Sequence, residues 1–295
     1  MIRAILRNLY FLNFLNGFLL ATLFYFKMEA NYEQELFRAI QLNIDNKVKL
    51  ADNKDSLVVK VMHACNALLN NRAPIFKGQE LDGFKVDYFH PTSIDLMTAK
   101  GACGSYSIVL TRLFKDYNLP VRIAQMKARG RYGAHNVVEV KTNTGWVVLD
   151  PMYNAYFIRP GGKGLASFAE VKNNWDFYSR QLPSDYDRRY KYEDVRYSNW
   201  EKIPVISPAI KKILDLVIGK EKADTISLRT YFLKNYDLFF YITLFLYLPI
   251  FLFTIKRLVQ TKVFPQSNIP FTFPNLVRYS KARLASKQFK GSMNA

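Results

Sequence analysis

Cysteine and histidine are scarce in this sequence: of 295 residues only Cys65 and Cys103 are cysteines, and His63, His90 and His135 are the histidines. Two cysteines are too few for a disulfide scaffold or a four-cysteine zinc site. Three scattered histidines without a His-Glu-x-x-His pairing give no metal site, and no cofactor motif is present. Gly161, Gly162 and Gly164 lack both the leading strand and the Lys-Ser/Thr ending of a phosphate cradle, so they read as a mobile loop. No internal repeat is visible. No Asn-x-Ser/Thr sequon occurs, which is compatible with a bacterial protein.

Acidic residues are also few, 24 Asp and Glu against 42 Lys and Arg, for a net charge of +18. An even excess would suggest a nucleic-acid binder. The excess is uneven instead. Between residues 256 and 295 the basic residues Lys256, Arg257, Lys262, Arg278, Lys281, Arg283, Lys287 and Lys290 meet no acid at all. Such a tail marks the cytoplasmic side of a membrane protein and lies against anionic lipid, so membrane lipid is the expected partner and nucleic acid is not. Hydrophobic residues make up 49% of the chain, ample for a packed core.

Two uncharged apolar runs stand near the ends. Leu238 to Ile255 (LFFYITLFLYLPIFLFTI) approaches the roughly 20 residues that a helix needs to cross a hydrocarbon core. Pro249 within it is tolerable in a spanning helix. Leu9 to Phe26, preceded by Arg3 and Arg7, is the second. A basic start and an apolar stretch also describe a cleaved signal peptide, but no small-x-small site follows in FYFKMEANYE, so this run is read as a retained anchor. Positive residues outside both runs predict cytoplasmic termini. The expected organisation is a transmembrane helix at 9–26, an extracytoplasmic domain at 27–237 with its core at 92–160, a second transmembrane helix at 238–255 and a basic cytoplasmic tail at 256–295. This is the layout of a two-span bacterial inner-membrane protein of the cell envelope.

Within the central region, apolar spacing predicts helices over Ala30–Leu50 and Ser56–Leu69, the latter capped by Ser56. Arg72–Pro91 reads as loop with a short strand. A flexible turn, Lys100–Gly104, feeds a helix whose apolar positions are Tyr106, Leu110, Leu113, Phe114 and Tyr117. Val121–Met126, Ala134–Val140 and Gly145–Leu149 follow as strands. Tyr178, Arg180, Tyr186, Arg188, Arg189, Tyr190, Tyr192, Tyr197 and Trp200 could stack on sugars or bases, but Asp185, Asp187, Glu193 and Asp194 interleave with them, and a packed flank is expected. Ala209–Ile218 is amphipathic and fits either a membrane surface or core packing.

Cys103 stands where that helix begins, and unpaired N–H groups and the positive dipole end favour a thiolate there. Gly101, Ala102 and Gly104 leave the sulfur sterically open, and the Cys103 N–H can stabilise an oxyanion. His135 starts a strand and Asp150 ends the next. If Lys141–Thr144 is the hairpin loop, Val140 pairs with Gly145 and His135 lies directly opposite Asp150, Cβ atoms about 4.5–5.5 Å apart. That distance suits a carboxylate that orients an imidazole. His90, Gln79 and Asn66 are candidates for a second oxyanion donor. Cys65 reads as a core residue with His63 on another face of its helix, although a Cys65–Cys103 disulfide would silence the nucleophile.

GACGSYSIVLTRLFKDYNLPVRIAQ, GAHNVVEV and GWVVLDPMYN, covering Lys100 to Asn154, resemble the core of the transglutaminase-like superfamily. The resemblance implies an α+β, papain-like fold with the cysteine helix packed on an antiparallel sheet. It implies Cys103 as nucleophile, His135 as general base and acid, and Asp150 as the orienting carboxylate. The aromatic that often follows the family's histidine is missing from His135-Asn136-Val137. Members include cysteine proteases, amidases and cross-linking acyltransferases, so the expected activity is hydrolysis or acyl transfer on a peptide or protein amide. Inactive members also exist, which leaves a silent binding or assembly module in an envelope protein complex as the alternative.

Overall fold

The computed structural model describes residues 8–47, 53–76, 81, 83, 85–199 and 206–263. The chain is α+β and divides into two compact units, one of residues 27–238 and one joining 1–26 with 239–295.

Helix α1 runs unbroken from Leu9 to Lys47. The expected span at 9–26 and the expected helix beginning at Ala30 are therefore one element, because Lys27, Met28 and Glu29 join them without a Gly or Pro to break the ladder. Helix α2, Lys54–Asn70, starts earlier than expected: Asn53, not Ser56, is the cap, its side chain accepting the Asp55 N–H at 2.9 Å. Residues 85–89 form a single π-helical turn, and no strand occurs among the described residues of 72–91. Two short helical steps then approach the site, α3 (Thr92–Thr98) and α4 (Cys103–Asp116).

β1 (Val121–Ala128), β2 (Arg131–Thr142), β3 (Gly145–Asp150) and β4 (Ala155–Tyr156) form a meander, and β5 (Val195–Arg196) returns to pair with β1. The five-stranded sheet has the order β4-β3-β2-β1-β5 and is antiparallel throughout. Both faces of the sheet are covered. On one face Val138, Val140, Val147 and Leu149 pack with Val61, Met62, Cys65 and Leu69 of α2 and Val109, Leu110, Leu113 and Phe114 of α4. On the other, Ala124, Met126, Val137 and Val148 pack with Phe157, Phe168, Tyr178, Tyr186 and Tyr192. This second layer is why β2 is apolar at successive positions and not in alternation. It also places three tyrosines of the 178–200 segment in a core. Between Ile158 and Leu165, which pair as a bridge, the three-glycine loop forms a tight 3₁₀ turn.

One charged cluster is built into the sheet. Glu139, 2% exposed, accepts from Arg122 at 2.9 Å and from the Tyr197 hydroxyl at 2.5 Å. The guanidinium is sandwiched between Trp146 and Tyr197, 4.2 and 4.1 Å from the ring centroids.

Between β4 and β5 lies α5 (Phe168–Asn173, in the second layer), and beyond β5 come α6 (Ile206–Ile218) and α7 (Asn235–Val263). Ile213, Leu216 and Val217 of α6 are exposed at 61, 88 and 71%, so this helix is not a core element. In the smaller unit, α1 and α7 are long and apolar enough to cross a membrane. The Asn16 amide donates to Thr254 Oγ1 at 2.7 Å, and the Phe26 and Phe239 rings stack 5.5 Å apart. As the number rises along α1 it falls along α7, so within this unit the two helices run antiparallel. Gln79 and the tail beyond Val263 lie outside the described residues.

Candidate active site

The turn before α4 is tightly constrained. The Ser105 hydroxyl donates to Asp95 Oδ1 at 2.5 Å and accepts the Gly101 N–H at 2.9 Å, tying α3 to the first turn of α4. A Cβ on Gly101 would fall 2.7 Å from Ser105 Oγ, so close approach demands glycine there. Ala102 has φ 43° and ψ −125°, a conformation L-residues rarely adopt, costing about 1–3 kcal/mol. The strained residue directly precedes Cys103, which is half-buried at the helix N-terminus with a free thiol.

His135 and Asp150 come together at the other side of the sulfur, by a different register from the expected one. Val140 pairs with Val147, and Thr142 with Gly145, so the loop is the two-residue Asn143-Thr144 and not Lys141–Thr144. The Thr142 hydroxyl accepts the Thr144 N–H at 3.3 Å, and Gly145 takes φ 116°, which together permit the tighter turn. His135 is therefore not directly opposite Asp150. A two-residue slide keeps each side chain on its own face, whereas a slide of one would have separated them. His135 Nε2 meets Asp150 Oδ2 at 2.6 Å, and the two residues are 1% and 0% exposed. Asp150 Oδ1 accepts the N–H groups of Met152 and Tyr153 at 3.2 and 3.3 Å, so the Asp-Pro turn fixes the carboxylate.

With Nε2 committed to Asp150, Nδ1 is the nitrogen left to hydrogen-bond the Cys103 sulfur. Burial works to raise the thiol pKa, but the hydrogen bond and charge of His135, with a backbone hydrogen bond at Asn136, override it and hold the thiol below its ordinary value. Burial likewise works to lower the imidazole, and Asp150 and the sulfur outweigh it, raising His135 to about 10. Both shifts favour a thiolate–imidazolium pair at neutral pH.

Three contributors were not visible in the sequence pattern. The Asn136 amide donates toward Cys103 Sγ at 3.8 Å, on the side of the sulfur where it can meet an oxygen carried on a carbon bonded to that sulfur. Tyr190 stacks on the His135 ring, centroids 4.6 Å apart and planes 12° apart, supplying from a distant segment the aromatic missing after His135. Tyr153 packs against the same ring at 5.6 Å. The adjacency of Asn136 to His135 was the only available signal for the first, and the tyrosine-rich stretch for the second.

Asn66 and His90, the two expected oxyanion candidates among the described residues, have other partners. Asn66 donates to Pro151 O and Met152 O at 2.9 and 3.1 Å, holding the turn after Asp150. His90 pairs with Asp95 at 3.8 Å. Cys65 is fully buried with its S–H directed to Tyr106 O at 3.8 Å, and it forms no disulfide. His63 bonds Asn154 Oδ1 at 2.6 Å. Among the described residues no group of three His, Cys, Asp or Glu side chains could hold a metal.

No family model, curated protein or solved structure matches this chain.

Proposed function

We propose that this protein is a membrane-anchored cysteine acyltransferase or amidase of transglutaminase-like, papain-like type, with Cys103, His135 and Asp150 as its triad. The observation that carries the reading is His135, buried between the Cys103 sulfur and the Asp150 carboxylate with its two ring nitrogens divided between them. The Cys103 thiolate adds to the carbonyl carbon of a peptide amide, and the C=O π electrons move onto oxygen. In this reading the Asn136 amide, which donates toward Cys103 Sγ, and the Cys103 N–H stabilise that oxyanion. As the tetrahedral intermediate collapses the C–N bond breaks, and the His135 imidazolium gives its proton to the leaving amine. Water or a second amine, deprotonated by the same imidazole, then opens the thioester and regenerates the thiolate.

The membrane part of the reading rests on the apolar surface of α1 and α7, where Phe14, Phe18, Phe24, Phe245 and Leu252 are exposed. The antiparallel pairing of Asn16 with Thr254 returns the chain to the side on which it began. With Arg3, Arg7 and the basic tail held in the cytoplasm, residues 27–237 face the extracytoplasmic side.

The test is the pH dependence of Cys103 alkylation by iodoacetamide in the full chain in detergent micelles. The expected profile keeps Cys103 reactive well below the free-thiol pKa of about 8.5. A rate that rises only near that value removes the nucleophile. In cells, a membrane-impermeant maleimide added from outside the inner membrane is expected to label Cys103, and labelling only after lysis reverses the topology.

A further inference from the structure

A cavity of about 630 Å³ lies within the larger unit. Its walls include direct neighbours of the site residues. Asp95 anchors the Cys103 turn through Ser105, Gln125 pairs with Asn136 across β1 and β2, and Gly133 precedes His135 by two residues on β2. What the remaining wall presents is positive. Arg196 and Arg229 both line the cavity. Arg196 donates Nε to Gln125 at 2.9 Å and lays its guanidinium 5.1 Å from the Tyr132 ring centroid, an arrangement that leaves the Nη donors able to hydrogen-bond a ligand, and Gln125, whose Oε1 accepts that bond, keeps its Nε2 donors. Other polar lining groups are already committed: Thr92 to Leu233 O, Ser198 to Ile226 O, and Tyr197 to Glu139.

Among the described residues, the one carboxylate in the wall has a different character. Asp95 is 4% exposed, and its Oδ2 has no hydrogen bond, only the His90 imidazole at 3.8 Å. The nearby Asp95 carboxylate raises the His90 pKa, and the imidazole partly offsets that charge from 3.8 Å. An acceptor without a hydrogen bond at this depth calls for a donor from the ligand.

We infer that the cavity takes an acidic peptide segment, its side-chain carboxylate bound by Arg196 and Arg229 and a backbone N–H donated to Asp95 Oδ2. Carboxylate recognition by paired guanidinium groups is geometrically specific and shorter-range than a general positive field. The inference rests on the thiol reading above, because it assigns the substrate class of that same site.

The probes are two bromoacetyl dipeptide amides, bromoacetyl-Ala-Glu-NH₂ and bromoacetyl-Ala-Gln-NH₂. They differ only in the carboxylate. In each, the thiolate sulfur forms a bond to the methylene carbon and bromide leaves with the bonding pair, so no other reagent is needed. With the full chain in micelles, Cys103 is expected to react about tenfold faster with the Glu probe, the worth of one charge-assisted hydrogen bond. Arg196→Gln and Arg229→Gln together are expected to bring the ratio to one, with a far-UV circular dichroism spectrum matching that of the wild type to show that the variant is folded. Arg229→Gln alone, at an exposed position, gives a partial fall. Equal and rapid reaction of wild type with both probes overturns the acidic-peptide assignment and leaves the nucleophile standing. Slow reaction with both, at the rate of an ordinary thiol, overturns the nucleophile and this assignment with it. A Glu preference that persists in the double variant also overturns the role of the arginines.

Discussion

Cys65 and Cys103 are the same residue in two environments, one on α2 and one at the start of α4, and the difference between them is made by their neighbours. Cys65 is enclosed by apolar side chains such as Val61, Leu69 and Leu110, and burial alone pushes its thiol far above the ordinary value. Cys103 is also partly buried, and the same desolvation acts on it, yet the imidazole of His135 reverses the outcome. Burial sets a cost for charge, and a single well-placed counter-charge decides whether that cost is overcome. The comparison also separates a sulfur that packs from one that can react, although both lie within the same layered domain.

The largest way to break the comparison is to remove the imidazole. His135→Ala is expected to return Cys103 to ordinary thiol behaviour and to lower acyl transfer by about 10⁴-fold or more. It would be read as the loss of iodoacetamide reactivity at pH 6 to 7 in the variant, with Cys65 inert in both proteins. In the wild type the pH dependence has a defined sign. The raised His135 favours the folded state fully below its unfolded value of about 6.5, and this contribution is lost as pH rises through about 10. Acyl transfer is expected to fall over that same upper limb, because the leaving amine then lacks its acid.

Asp150→Asn comes next. It preserves shape but presents the imidazole with an amide, so the wrong tautomer faces the sulfur, and a drop of about 10³- to 10⁴-fold in turnover is expected. Its thiolate pKa is expected to lie between those of wild type and His135→Ala, as measured by the same alkylation profile. An unchanged profile would mean that Asp150 only holds the turn at Met152 and Tyr153.

These residues differ in how far the sequence could place them. The helix after Cys103 and the β1–β3 strands follow from apolar spacing, and Cys103 and Asp150 stand at element ends, whereas β2 begins at Arg131 and His135 is its fifth residue and not its first as expected. The register could not be obtained the same way, because Asn143-Thr144 closes a two-residue turn through Thr142 and Gly145 and lacks the usual Asn-Gly signature. β4 and β5, two residues each, are too short to carry a period. Tyr190 reaches His135 from a segment 55 positions on, and Asp95 reaches the Cys103 turn through a single serine. Such contacts are set by tertiary packing, which local pattern does not encode.

Asn136→Ala is expected to have a smaller effect, about 10²-fold in turnover, as for the loss of one oxyanion donor. Its signature is selective: a fall in turnover with little change in iodoacetamide alkylation, since alkylation forms no oxyanion. Equal falls in both would make Asn136 a determinant of thiol ionisation instead.

The smallest expected effect is at Cys65, and it is the sharpest control. Cys65→Ala removes one buried sulfur and leaves a small void beside Val61 and Leu110, a cost of about 1–2 kcal/mol. Thermal melting of the variant in micelles, followed by circular dichroism, should show a modestly lower midpoint. The Cys103 alkylation profile should not move. Besides its packing on Leu110, Cys65 is linked to the Cys103 helix by the weak bond from its S–H to Tyr106 O, three residues beyond Cys103. If losing that bond shifted the Cys103 profile, the backbone of α4 would be transmitting packing to the thiol, and the two environments would be one coupled system. An unshifted profile makes the ionisation of Cys103 a property of His135 and Asp150 alone.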